Sequence, residues 1–420
     1  MKDYFYAVPE HGNNVAGISA TMLYCLYKAV REGKQVTFVH KKIFFGGLLK
    51  RKRLLPLVHR HALFDLESPH IRPEPSRIVY AMVSWFWGFI FLTHWIWEYL
   101  LHRLGLLGEE FGKMALVGFG ISDIYNVERL PTFFPESVMK IGWEKELNHP
   151  PKVSFPARRF AAAVEGMGLN PRTYVCLHIR TPHYRGISDV SYENTTRNAD
   201  PKNYDPAIDG LIAMGYKVVR MGDPVPGFIA PREGFFDYAN SKFKSEERDL
   251  SLIENCFFYF GTNSGIYDTA VLFGVPILLV NVADLHQARP TKSSDIFIWK
   301  HVRPIARAET VPFGEIFKLP FLHNFLEEYI WVENAADDIR AAALEMAEQL
   351  RGSPGPLTDK QKLFHEGLNG LLRRTLKDSP YFQHNKGDRN RNHVEDAYRH
   401  AIQANFNGRV GSAFAEKYYG

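Results

Sequence analysis

An α/β architecture built on parallel strands follows from three observations in this 420-residue sequence. Short apolar runs without polar alternation, such as VCLHI and PILLVN, read as strands buried on both faces. Segments with helical periodicity separate them, as the crossovers of a parallel sheet require. The runs also end in polar or glycine-rich turns, and in such sheets ligands bind beyond the carboxyl ends of the strands. An apolar content of 45% and a charged content of 23% are ordinary for a globular protein, and the length suffices for two domains with extensions.

The first elements make a βαβ opening. Tyr4–Val8 (YFYAV) reads as a strand and Glu10–Asn14 as a loop. Ala16–Arg31 is an amphipathic helix with Leu23, Leu26, Tyr27 and Val30 on one face, stopped by Gly33. Lys34–His40 (KQVTFVH) is the second strand, and Met114–Phe119 (MALVGF) reads as a later one.

Between them lies a segment of a different kind, about residues 41–103. Lys41, Lys42, Lys50, Arg51, Lys52, Arg53 and Arg60 precede the first acid, Asp65. Ile78–Trp97 then runs for 20 residues without a formal charge and holds four of the seven tryptophans. That length is enough for a membrane span. A single span would, however, put the opening βαβ unit and the later strands on opposite sides of a bilayer. Aromatic composition beside a basic run favours insertion at a membrane surface, through Trp85, Phe86, Trp95 and Trp97 with Lys50–Arg53. A true span, a buried core segment and a homo-oligomer interface are the alternatives.

The βα alternation resumes at Thr173–Ile179, followed by a helix over Tyr204–Met214 and a strand over Tyr216–Arg220. Met221–Pro224 is a strong turn signal. A short strand at Phe235–Tyr238, a helix over Glu246–Glu254 and the strand FFYF follow. The turn Gly261, Thr262, Asn263, Ser264, Gly265 then opens a helix before PILLVN. A turn at a helix start presents N–H groups and hydroxyls to an anion, aided by the helix dipole. Arg180, Arg220, Asp223 and the 262–265 turn all fall on the carboxyl edge. Arginine forks suit phosphate geometry, so the edge makes a candidate diphosphate site. Each residue also has a structural reading: Arg180 and Arg220 paired with Asp223 or Asp237, His178 as a half-buried imidazole, Asp223 as a turn residue, the 261–265 turn without ligand.

The order VCLHIR, RNADPKNYDPAI, GYKVVRMGDP, DYANS, FFYFGTNSG, FGVPILLVN resembles a family of bacterial glycosyltransferases associated with surface-polysaccharide gene clusters. The likeness covers roughly residues 173–350, including Asp295–Lys300 and Asn334–Ile339, with a weaker match at the C-terminal GRVGSAFAEKYYG. More distantly, the strand ending in His-x-Arg is similar to that of fucosyltransferases with a GT-B fold, whose arginine binds the donor diphosphate. On that match the role falls to Arg180. Members often carry an acid after this arginine, where this chain has Thr181, so no role of that acid carries over. The resemblance implies two Rossmann-like domains facing a cleft: residues 1–155 on the acceptor side, 156–335 on the nucleotide-sugar side, and helices over 336–420 packing back. The loop after the first strand would then point to the acceptor, with Glu10 or His11 as general base or as mere lining of the pocket.

The C-terminal segments read as helices over Ala335–Leu350 and Leu357–Leu376, a polar loop over Asp378–Asn392, and a stretch from His393 to Ala415 packing on the core. Cys25, Cys176 and Cys256 lack pairing or metal-binding spacing and read as free thiols in a reducing compartment. No secretory signal opens the chain, which points to a cytoplasmic protein peripheral on the inner face of the membrane. No metal-ligand spacing and no Asp-x-Asp stand out, so no cofactor or metal is expected. A net charge of +5 without aromatic–basic RNA motifs does not suggest nucleic acid. The expected partners are a nucleotide sugar, a glycan or lipid-linked glycan acceptor, and a membrane surface. A nucleotide-sugar epimerase on the same scaffold and a non-catalytic sugar-nucleotide-binding protein are the competing classes.

Overall fold

The computed structural model describes residues 4–7, 15–40, 61–103, 149–156, 166–181, 196–225, 227–283, 292–318, 329–378 and 408–419, with a few isolated positions between them. The chain forms two compact units. One comprises Met1–Ser137 with Pro150–Arg159, the other Val138–His149 with Phe160–Gly420.

In the first unit, β1 (Tyr4–Ala7) and β2 (Gln35–Phe38) pair in parallel through α1 (Val15–Glu32). Met22, Leu23, Cys25, Leu26 and Ala29 of α1 are almost fully buried, which accounts for its amphipathic spacing. Residues 67–76 run alongside β2. Thr37 Oγ1 donates to the Arg72 carbonyl at 2.9 Å, the Tyr6 hydroxyl to Glu74 Oε2 at 2.6 Å, and Arg72 lies over the Tyr4 ring. The apolar run of 78–97 belongs to a longer helix, α2 (Arg77–Arg103). The strand expected at Met114–Phe119 lies outside the described residues.

The second unit is built on a seven-stranded sheet. Its strands are β3 (Tyr174–His178), β4 (Lys217–Arg220), β5 (Phe235–Phe236), β6 (Tyr259–Gly261), β7 (Ile277–Val282), β8 (Ile296–Trp299) and, beyond β9 (His301–Pro304) and β10 (Tyr329–Val332) of a separate pair, β11 (Arg409–Val410). Every pairing is parallel, and the spatial order is β11-β8-β7-β6-β3-β4-β5. Counted from β3 as strand 1, the first six follow the doubly wound order 3-2-1-4-5-6. From β3 the chain steps through α3 (Asp205–Ala213) to β4 and β5. It then returns through α4 (Glu246–Asn255) to the other side of β3 as β6, and continues through α5 (Gly265–Leu272) to β7. With right-handed crossovers the two halves place their helices on opposite faces. The sheet is therefore Rossmann-like, buried on both sides, and the strands read as continuous apolar runs: Ile277 to Val280 are all fully buried.

Two features extend this core. β9 (His301–Pro304) and β10 (Tyr329–Val332) form an antiparallel pair after β8. Trp299 is fully buried and stacks on Phe313 and Phe317 of the turn around α6 (Phe313–Ile316), and on Trp331. α7 (Ala336–Arg351) packs on α3, and α8 (Asp359–Asp378) follows it. The last described residues return to the sheet edge as β11 and then α9 (Ser412–Tyr418). Phe414 enters a ring cluster with Phe313 and Phe364, while Asp338 accepts from Lys417 Nζ at 2.8 Å and the Tyr418 hydroxyl at 2.6 Å. The described part of 336–420 thus lies within the second unit. The loop expected over Asp378–Asn392 falls, past its first residue, outside the described residues.

Candidate functional site

The chain reverses its direction across the sheet between β3 and β6, and the crevice at such a switch point is where doubly wound sheets bind ligands. The residues at these two strand ends are His178 to Arg180 and Gly261 to Gly265. Their main chains touch closely. A Cβ on Gly261 would stand 1.9 Å from the His178 carbonyl oxygen, so only glycine fits at the end of β6. The next residue, Thr262, is fully buried. Its N–H donates to the His178 carbonyl at 3.1 Å, and its Oγ1 accepts the Arg180 N–H at 3.0 Å. Thr262 therefore fixes where the chain leaves β3, and with it the root of the half-buried Arg180 side chain.

Ser264 is the N-cap residue of α5, but its hydroxyl makes no capping bond. It lies instead 3.1 Å from His178 Nδ1 and 3.3 Å from the Tyr259 hydroxyl. The Tyr259 hydroxyl donates to the Thr262 carbonyl at 3.2 Å. The first turn of α5 is left without a side-chain cap, and its N–H groups face the carboxyl edge. His178 is half-buried. Burial, then Lys244, Arg180 and Arg220, push its pKa down to about 3, so the imidazole is neutral near pH 7 and serves as a hydrogen-bonding strut. Its ring also fills the space beside Gly222, where a Cβ would stand 2.8 Å from Cδ2 and where φ is +101°.

Arg220, at the end of β4, is 2% exposed. Its Nε donates to Asp237 Oδ1 at 2.7 Å, Nη1 donates to the Asp223 carbonyl at 3.2 Å, and the guanidinium lies over Phe228. Of the two carboxylate partners expected for it, the side chain meets Asp237. Asp223 takes part through its main chain, and its carboxylate is exposed. Asp237 also accepts from Asn240 Nδ2 at 2.7 Å, so Arg220 ties the loop after β4 to the loop after β5. One nitrogen, Nη2, is buried without a hydrogen-bond partner among the described residues. The strand expected over Phe235–Tyr238 stops at Phe236, because Asp237 turns to Arg220 and Tyr238 begins a 3-10 turn.

Other residues of this edge were not singled out from the sequence. Ala199 N–H donates to the Arg180 carbonyl at 3.0 Å, which lays the segment 196–200 across the strand ends. Lys300, directly after β8, is 3% exposed and donates to the Asn198 carbonyl at 2.9 Å; burial lowers its pKa to about 8, with Glu333 opposing. Asp268, in the first turn of α5, is pushed well above the usual carboxylate range by burial, against the pull of Arg197. Asn281, the last residue but one of β7, sits at φ +58°, and it pairs reciprocally with Asn334: each side-chain oxygen accepts the other's backbone N–H, at 2.6 and 2.7 Å. The motifs that carry the resemblance include Ala199, Asn281, Lys300 and Asn334, but assign a role to none of them.

The candidate base loop, with Glu10 and His11, and the basic run Lys50, Arg51, Lys52, Arg53 lie outside the described residues. Trp85 and Phe86 lie on α2, with Phe86 47% exposed; Trp95 and Trp97 continue that helix, and their side chains lie outside what is described. Among the described residues no group of three or more His, Cys, Asp or Glu side chains is placed to hold a metal ion. Neither protein-family models, nor curated proteins, nor solved structures give a match to this chain.

Proposed function

We propose that this chain is a nucleotide-sugar-dependent glycosyltransferase of the GT-B type, moving a sugar to a glycan or lipid-linked glycan in surface-polysaccharide synthesis. The observation that carries the reading is the switch point itself: an arginine whose backbone is pinned by Thr262 stands beside an uncapped helix start on adjacent strands. That combination of guanidinium and N–H groups suits a diphosphate. On this reading the second unit holds the donor and the first unit serves the acceptor. Arg180 and the first turn of α5 grip the diphosphate, while Arg220 and His178 hold the surrounding loops in place.

The chemistry needs little more. An acceptor hydroxyl attacks the anomeric carbon and passes its proton to Glu10 or His11. The bond from that carbon to the diphosphate oxygen breaks, and the electron pair leaves with the nucleotide. Charge that develops there is met by Arg180 and the helix N–H groups, without a call on a metal ion. Attack opposite the leaving group inverts the anomeric centre. The work would take place at the inner face of the cytoplasmic membrane, where lipid-linked acceptors reside.

A panel of nucleotide sugars tests the reading. Free nucleotide released only when a glycan acceptor is present supports transfer. A new epimer of the donor supports an isomerase on the same scaffold, and binding without turnover supports a sugar-nucleotide-binding protein.

A further inference from the structure

Arg180 is held by its main chain on two sides, and the second hold begins three strands away. Its N–H donates to Thr262 Oγ1 at 3.0 Å, and its carbonyl accepts the Ala199 N–H at 3.0 Å. The same peptide bond presents the Asn198 carbonyl on its other edge, and that oxygen accepts from Lys300 Nζ at 2.9 Å. Lys300 directly follows β8, which β7 and β6 separate from β3. At the usual strand spacing the separation is about 14 Å. One peptide group therefore links an ammonium at the end of β8 to the arginine beyond the end of β3.

The rest of this segment is fixed by other residues. Glu333, just past β10, accepts the Asp200 N–H at 2.8 Å and Asn203 Nδ2 at 3.3 Å. The fully buried Tyr204 accepts from Asn281 Nδ2 at 3.1 Å through its hydroxyl. What Lys300 decides is where the Asn198–Ala199 peptide lies. Burying an ammonium is costly, and Lys300 is 3% exposed, with the Asn198 carbonyl as its one side-chain hydrogen-bond acceptor among the described residues. A charged donor makes that bond stronger than a neutral one would. It also polarises the peptide, which strengthens the bond from the Ala199 N–H to Arg180.

We propose, on the reading of Arg180 as a ligand of the donor diphosphate, that Lys300 is a positioning residue. Its charge holds the Asn198–Ala199 peptide against the end of β3 and so sets how well Arg180 meets a nucleoside diphosphate. Burial, with Glu333 opposing, lowers the Lys300 pKa to about 8. The other charged or titratable groups on the elements around it are Arg197 and Asp200 of the segment and His301, next in sequence, whose pKa burial lowers. Above pH 8 the folded chain loses the Lys300 proton, while the unfolded chain keeps it to about pH 10.4. The unfolded state then binds the extra proton, so stability from this group rises with pH in that window. Donor affinity moves the opposite way, which separates positioning from loss of fold.

Calorimetric titration with UDP, GDP, CDP and dTDP from pH 7 to 9, beside urea unfolding, tests the proposal. Wild-type affinity for the nucleotide that binds falls about fivefold, centred near pH 8, as a charge-assisted bond becomes a neutral one. Lys300→Met binds about fivefold more weakly at pH 7 and shows no such fall, so the two proteins converge at pH 9. Lys300→Gln serves if the first variant does not fold. With Arg180→Ala already in place, Lys300→Met weakens binding by no more than about twofold further, because Lys300 acts through Arg180. A wild-type profile parallel to that of Lys300→Met overturns the proposal. So do losses that multiply in full in the double variant, which would mean direct attraction of the ammonium for the diphosphate. A wild type that binds no nucleotide, or binds one just as well after Arg180→Ala, removes the donor-site reading and this proposal with it.

Discussion

The Arg180 N–H donates to Thr262 Oγ1 at 3.0 Å, so the exit from β3 is set by the first residue after β6. Thr262→Val keeps the shape but leaves that buried N–H without its acceptor. The loss of stability should be about 1–3 kcal/mol in urea unfolding. Thr262→Ser, which keeps the hydroxyl, should recover most of it.

Gly261→Ala should be much more damaging. Its methyl group would meet the His178 carbonyl oxygen at 1.9 Å, and relief requires β3 and β6 to move apart. We expect a cost of about 3 kcal/mol or more, at the upper end for single substitutions. Gly355→Ala, where nothing lies within 4 Å, is the matched control and should leave the melting temperature nearly unchanged.

The depressed pKa of His178 ties stability to pH. An exposed histidine takes its proton near pH 6.5, whereas His178 in the fold resists until about pH 3. Between those values the unfolded chain binds the extra proton, so stability falls as pH drops, by up to about 1.4 kcal/mol per unit from this residue. Burial also lowers the pKa of His301 and, to about 4, of His365, so the wild-type slope contains their shares. The difference between wild type and His178→Gln isolates the first. Urea unfolding from pH 4 to 7 should give a slope shallower by up to one proton in the variant.

The base assignment predicts a split between binding and turnover. Glu10→Gln or His11→Ala should abolish sugar transfer while the affinity for donor nucleotide, read by calorimetry, stays at the wild-type level. Near wild-type transfer in both variants removes this loop from the chemistry.

The strands β3, β4, β6 and β7 were legible to within about two residues because both faces of the sheet are covered, which writes each strand as an unbroken apolar run. Their order was not legible, since nothing in VCLHI or FFYF names the neighbour it pairs with. The site divides the same way. Thr262 and Gly265 announced themselves as a turn before a helix, but the partner of Arg220 was open between two acids, and only the fold selects Asp237. The Asn281–Asn334 pair joins residues 53 positions apart, and β11 is two residues long, too short to carry a period. On α2 the near-uniform apolar composition hid the face that is bonded to His40 just past β2, through the Tyr80 and Ser84 hydroxyls.

The central claim is that Arg180 and the Thr262–Gly265 turn bind a donor diphosphate, and calorimetric titration of wild type and Arg180→Ala with UDP, GDP, CDP and dTDP tests it most directly. Loss of one charge-assisted contact of this kind costs roughly 1.5–3 kcal/mol. The account predicts that wild type binds at least one of the four, and that Arg180→Ala, folded as judged by its urea transition, binds it about tenfold more weakly or worse. Equal affinity in the two proteins, or a wild type that binds none of the nucleotides, would contradict it.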